Sequence, residues 1–144
     1  MQSYLRGGTL GIDPGSRRIG VAFCDDQTGI AMPLSVIAAD EGTHIEQIVG
    51  LAKQHNAAEV VVGLPKQMDG AEGLAASNAR ALAGELQQRL EVPVRLFDER
   101  LTTVSAHQTL RRSGVKGRRQ RAVVDKVAAT ILLQAYIDAQ QGNS

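Results

Sequence analysis

The sequence predicts an α/β fold built on a five-stranded mixed sheet, and three observations predict it. Three short β-rich runs separated by turn residues occupy the first third of the chain. Apolar runs then alternate with amphipathic helical stretches. The 144 residues fit one domain, residues 1–144, able to bury roughly two-thirds of the unfolded-chain surface.

The first strand is Thr9–Asp13, bounded by Gly7-Gly8 and Pro14-Gly15. The second, Ile19–Cys24, is dense in β-formers and ends at Asp25-Asp26. The third, Ile30–Ala38, follows Thr28-Gly29. Short connections make these three an antiparallel meander. A helix begins at Thr43, where Thr43-His44-Ile45-Glu46 matches a capping box and Ile45, Ile48, Val49 and Ala52 form a stripe. Glu59–Leu64 is the near-continuous apolar run of a strand covered on both faces, and Pro65 stops it. A second helix spans about Ala71 to Leu90, with Leu74, Leu82, Leu86 and Leu90 on one face. Val92–Phe97 is the fifth strand, running into Asp98-Glu99-Arg100. Thr103 caps a short helix to about Arg112, a basic loop follows, and the last helix runs from about Val123 to Ala139. The order β-β-β-α-β-α-β-α-α makes the sheet antiparallel on one side and parallel where helices cross over. In such sheets ligands gather at the carboxyl ends of the parallel strands.

Composition removes several functions. The only aromatics are Tyr4, Phe23, Phe97 and Tyr136, so a ladder of rings for stacking bases is not expected. The single cysteine, Cys24, forbids an internal disulfide and reads as a small buried hydrophobe. His44, His55 and His107 lack zinc-ligand spacing, and neither a phosphate-binding P-loop nor a serine-hydrolase elbow is present. No secretory h-region or membrane span is read, so the expected location is cytoplasmic, with no membrane partner. Net charge is only +1, yet Arg111, Arg112, Lys116, Arg118, Arg119 and Arg121 fall in one stretch without an acid. Local charge of this kind suits a nucleic-acid backbone.

Three acidic positions could carry chemistry. Asp13 closes the first strand before Pro14-Gly15, with Arg17-Arg18 nearby; a turn-initiating role would also account for it. Asp98-Glu99 closes the fifth strand, where an ion pair with Arg100 is the plainer explanation. Asp125 is the most informative. At about 100° per residue, it falls inside the arc of Ala128, Ala129, Leu132, Ala135 and Tyr136. A carboxylate on a packed face needs a partner, which can be a metal ion or a basic neighbour. Such carboxylates suit Mg²⁺ or Mn²⁺.

Gly11-Ile12-Asp13-Pro14-Gly15-Ser16-Arg17-Arg18-Ile19-Gly20-Val21-Ala22, Val61-Val62-Gly63-Leu64-Pro65 with Met68-Asp69-Gly70, Asp98-Glu99-Arg100-Leu101-Thr102-Thr103, and Val124-Asp125 opening the last helix occur in that order. Together they make nearly the whole chain resemble the bacterial YqgF/RuvX family. The resemblance implies a ribonuclease-H-like fold with strand order 3-2-1-4-5. It implies a nuclease that trims the 5′ end of pre-16S rRNA, in a family also described as resembling Holliday-junction resolvases. Many nucleases of this fold carry an acid on the fourth strand, whereas Val60–Pro65 has none. The family pattern supplies that ligand from Asp98-Glu99-Arg100, with Glu99 favoured and Asp98 left open.

The expected chemistry is two-metal phosphodiester hydrolysis. Asp13 bridges two Mg²⁺ or Mn²⁺ ions, while Glu99 and Asp125 each hold one. Arg17, Arg18 and Lys66 steer phosphates, and the Arg111–Arg121 segment, with Gly114 and Gly117, holds the backbone of structured RNA or branched DNA. Three rivals stand beside this reading: a dimeric junction resolvase, a non-catalytic RNA-binding assembly factor, and an actin-like ATPase lobe, for which the chain is short. The sequence leaves monomer and homodimer open.

Overall fold

The computed structural model describes residues 7–39, 42–102 and 118–142, with side chains in the last segment described from 124 to 141. Five strands, β1 (Thr9–Asp13), β2 (Arg18–Cys24), β3 (Ala31–Ala38), β4 (Glu59–Leu64) and β5 (Val94–Asp98), form one sheet in the order β3-β2-β1-β4-β5. β1 pairs antiparallel with β2 and parallel with β4. The remaining pairs are β2–β3 antiparallel and β4–β5 parallel. This is the mixed sheet, and the 3-2-1-4-5 order, that the sequence and its resemblance imply.

Helices α1 (His44–Gln54) and α2 (Leu74–Arg89) cover one face, and α3 (Arg118–Gly142) crosses the other. Alternation along each strand divides the side chains between the two faces. Leu10, Ile12, Val60, Val62 and Leu64 point to α1 and α2, where Ile45, Ile48, Ala79 and Leu86 complete the larger core. Ala22, Cys24 and Val61 point to α3 and pack on Ala129, Leu133 and Tyr136. Smaller residues line this second face. A β-carbon at Gly11 would lie 2.8 Å from Leu133 Cβ, so the helix rests almost on the β1 backbone.

At the amino-terminal end of the parallel strands, α3 is tied to the sheet by Glu59. Its Oε2 accepts from Thr9 Oγ1 at 3.0 Å. Its Oε1 accepts from Tyr136 OH at 2.7 Å and from Arg95 Nε at 3.2 Å. Burial, then the bond to Glu59, pushes the Tyr136 phenol well above its ordinary range. The outer strand β3 is irregular. Its register with β2 shifts between Val21 and Ala22, it contains Pro33, and the Ala31 N–H is taken by Gln134 Oε1 at 2.8 Å.

Four expectations need correction. Thr43 does precede α1, but its backbone (φ −110°, ψ 5°) is not the extended conformation that aims a cap hydroxyl at the helix N–H groups. Its Oγ1 instead accepts from Gln47 Nε2 at 2.9 Å. α2 starts at Leu74, not Ala71, because residues 67–71 close a turn through Gln67 N–Ala71 O and Ala71 N–Asp69 Oδ1 bonds. Leu74 is 77% exposed, so the buried stripe is Leu82, Leu86 and Leu90 with Ala76, Ala79 and Ala83. Finally, α3 begins at Arg118, so Arg118, Arg119 and Arg121 sit on its first turns, not in a loop. Arg and Gln are strong helix formers and no Gly or Pro interrupts them. The short helix expected from Thr103 to Arg112 lies outside the described residues, as do His107, Arg111, Arg112, Gly114, Lys116 and Gly117.

Candidate nuclease site at the carboxyl ends of β1 and β4

Asp13 ends β1, two residues beyond Gly11, and therefore lies on the α3 face. Its two neighbours in the sheet are glycines. On β2 its register partner is Gly20. On β4, Val62 is the partner of Ile12, which brings Gly63 beside the end of β1. Each glycine makes room for a segment carrying an acid. A β-carbon at Gly20 would fall 2.2 Å from the carbonyl oxygen of Asp125, so α3 can settle against β2 only because that position is bare. A β-carbon at Gly63 would fall 2.9 Å from Glu99 Oε2 and 2.9 Å from Leu132 Cδ2. The Glu99 carboxylate thus lies over β4 on the α3 side. Asp13, Glu99 and Asp125 are brought to one face and one end of the sheet, the end where ligands of such sheets bind.

The two acids of the β5 motif are separated by their surroundings. Asp98 is committed to Arg100. Its Oδ1 accepts from Arg100 N at 2.9 Å, capping the 3₁₀ turn Glu99–Leu101, and its oxygens also accept from Arg100 Nε at 3.1 and 3.0 Å and Nη2 at 2.7 Å. These bonds hold the Asp98 carboxyl below its usual range. Arg100 Nη1 also reaches the Met68 carbonyl at 3.4 Å, fastening the loop after β4 to the end of β5. The ion pair that the sequence offered as the plain explanation of this motif is thus present, and it engages Asp98; Glu99 is the acid over Gly63.

Asp125 faces the sheet as its helical position implied, with its side chain 24% exposed. Its partner is the basic neighbour: Arg18 Nε donates to Asp125 Oδ2. Arg17 is exposed beside it. Lys66 stands at the carboxyl end of β4, with Nζ 3.8 Å from Glu72 Oε2, and Glu72 is also gripped by Arg80 at 2.8 and 2.7 Å. That Gly20 and Gly63 make room for the segments bearing Asp125 and Glu99 was not read from the sequence. The signal was available for the glycines, which interrupt otherwise apolar strands where backbone or ligand must approach closely.

Among the described residues, no three His, Cys, Asp or Glu side chains stand at the spacing of a ready-made ion site. The donor chemistry nevertheless fits a hard divalent ion. All three gathered groups are carboxylates, while Cys24 is 1% exposed and its thiol is pushed up chiefly by burial. Among the described residues, no helix is long and apolar enough to cross a membrane.

Known proteins resemble this chain over most of its length. A Mycolicibacterium paratuberculosis protein named "Putative pre-16S rRNA nuclease" is 44% identical over 138 residues, 94% of this chain and 83% of that one. A Mycobacterium ulcerans protein of the same name is 45% identical over 94% of this chain and 81% of its own. Among solved structures, Thermus thermophilus RuvC in complex with a Holliday junction substrate superposes with a TM-score of 0.58 at 16% identity, covering 95% of this chain and 97% of that one. A second structure of Thermus thermophilus RuvC gives 0.53. The fold is therefore ribonuclease-H-like. The model of the RuvX family, described as Holliday junction resolvase, matches residues 7–139. With nearly the whole described fold inside that match, the chain belongs to the RuvX family.

Proposed function

We propose that this chain is a metal-dependent endonuclease that hydrolyses phosphodiester bonds in the 5′ region of pre-16S rRNA, in the cytoplasm. One observation carries the reading: Asp13 is flanked by two glycines, and the segments admitted over them bear Asp125 and Glu99. The names of relatives at 44% and 45% identity support the substrate. Asp13, Glu99 and Asp125 would hold Mg²⁺ or Mn²⁺, which when bound supplies an activated water and neutralises charge on the leaving oxygen. Asp98 is less suited, because its oxygens already serve Arg100.

The other groups act on the strand. Arg17, which precedes Arg18 in the chain, is exposed, as a group that meets phosphates must be. Lys66 shares Glu72 with Arg80, so Glu72 keeps a cation when Lys66 turns to a phosphate. Arg118, Arg119 and Arg121 lie on the turns of α3 just before Asp125, which brings a basic helix end to the site. With Arg111, Arg112 and Lys116 they form the proposed backbone-binding segment. Contacts of this type position a strand without reading its sequence.

The family description as a Holliday junction resolvase favours a second reading, in which the same site cuts branched DNA as a homodimer. Cleavage of a pre-16S rRNA fragment and of a four-way DNA junction, side by side, separates the two. For either substrate, EDTA silences cleavage, Mg²⁺ or Mn²⁺ restores it, and Asp13→Asn abolishes it with thermal unfolding unchanged. Full cleavage by folded Asp13→Asn overturns the proposal. Metal-independent binding of RNA without cleavage would leave an assembly factor in its place.

A further inference from the structure

Arg18 opens β2 and Asp125 lies two turns into α3, and the two side chains bridge sheet and helix. Both are mostly covered, at 29% and 24% exposed. The pair is also fixed from below. Gly20, two residues beyond Arg18, has the Asp125 carbonyl packed directly over it, so the helix backbone at Asp125 is set against the strand that carries Arg18. Gly20 is also the register partner of Asp13, so the α3 backbone at Asp125 lies over the strand position that flanks the acid at the centre of the proposed site. Arg17, its neighbour in sequence, is exposed.

We infer that Arg18 is the built-in counter-cation of Asp125 and competes with a divalent ion for that carboxylate. The inference rests on the reading of Asp125 as an ion ligand. Without an ion, the guanidinium neutralises an acid that the fold turns toward an apolar helix face, where an unpartnered charge is costly. A divalent ion at the same carboxylate takes over its lone pairs and repels the guanidinium, and in a partly covered setting that repulsion is weakly screened. Arg18 is then released at the carboxyl edge of the sheet, where the strand to be cut approaches. A planar guanidinium is well matched to phosphate. Ion occupancy and phosphate capture are thereby linked through one residue, and linkage of this kind is reciprocal.

The test is calorimetric titration of Mn²⁺ into the ion-free full chain as wild type, Asp125→Asn, Arg18→Met and Arg17→Met, each checked by thermal unfolding. Arg18→Met binds Mn²⁺ about tenfold more tightly than wild type, as expected for removing one nearby positive charge at intermediate dielectric. Arg17→Met, which removes the same charge from an exposed position, changes affinity by less than about twofold. Ion-free Arg18→Met melts below wild type, and saturating Mn²⁺ narrows the gap. If Arg18→Met is too unstable to titrate, Arg18→Lys replaces it; a point charge that cannot form the same planar contact gives a smaller tightening in the same direction. Unchanged or weaker Mn²⁺ affinity at position 18, with binding still lost in Asp125→Asn, overturns the role of Arg18 and leaves the metal reading standing. Binding that survives Asp125→Asn, or no binding in any variant, overturns the ligand reading on which the inference rests.

Discussion

Gly63 lies directly beneath Glu99, close enough that a single added carbon would stand 2.9 Å from its Oε2. That neighbour is the far end of a flexible side chain, whereas the second, Leu132 Cδ2 at 2.9 Å, belongs to a core residue only 1% exposed. Gly63→Ala therefore overpacks the α3 side of β4, at a cost on the order of 1–3 kcal/mol, and displaces the carboxylate. Misplacement near 1 Å lowers rates by about 10²-fold. Cleavage by Gly63→Ala, measured well below its melting temperature, should fall by roughly that factor, with a melting temperature lower by about 3–10 °C. Gly20→Ala behaves differently, because there the added carbon meets the Asp125 backbone at 2.2 Å. It should be severely destabilising, by about 2–4 kcal/mol, as read by urea unfolding.

The Asp98–Arg100 pair predicts a pH-dependent stability difference. Arg100 holds the folded Asp98 carboxyl below the usual 3.8. A depressed carboxyl contributes stability above its unfolded value and loses it as pH falls through the folded one. Arg100→Met should therefore be less stable than wild type at pH 7, with the gap shrinking as pH drops below about 4. Denaturant midpoints of both proteins across pH 7 to 2.5 measure this. A gap that stays constant to the acid end removes the pair from the stability of the turn.

Tyr136→Phe isolates the tie at the opposite end of α3. It removes the 2.7 Å bond to Glu59 but keeps the ring that meets Phe97 edge-on at 5.5 Å and 85°. Glu59 retains Thr9 and Arg95, so the loss is about 1 kcal/mol. Cleavage measured well below the melting temperature should be unchanged, since this tie lies at the far end of β4.

Neutralising Arg118, Arg119 and Arg121 together tests the basic helix end. Each lost phosphate contact lowers the slope of log K against log salt by about 0.7 on single strands, so the triple variant should lose close to two units. Fluorescence anisotropy on a labelled RNA over a salt series gives the slope. A slope equal to wild type would show that these side chains do not reach the backbone.

The strands were legible where punctuation bounds them. β1 between Gly7-Gly8 and Pro14, and β4 before Pro65, begin and end where the sequence puts them. The inward orientation of Asp125 was legible for a related reason, since a helical period depends only on residues a few positions apart. Its partner was not, because Arg18 is 107 residues away and reaches it only through the packing of α3 on β2. The start of α3 was missed because a run of arginines carries no cap and reads equally as a solvated loop. Asp98 and Glu99 could not be told apart by periodicity at all; the turn that assigns one to Arg100 and aims the other over Gly63 forms only at the end of a folded strand.

The irregular outer strand has a consequence for self-association. Among the described residues β3 is an open border of the sheet, yet Pro33 offers no donor, the Ala31 donor is already spent on Gln134, and the register with β2 is displaced. Borders interrupted in this way resist the addition of a foreign strand. A continuous sheet running across a dimer through β3 is therefore disfavoured by the same residues that shape this rim of the monomer.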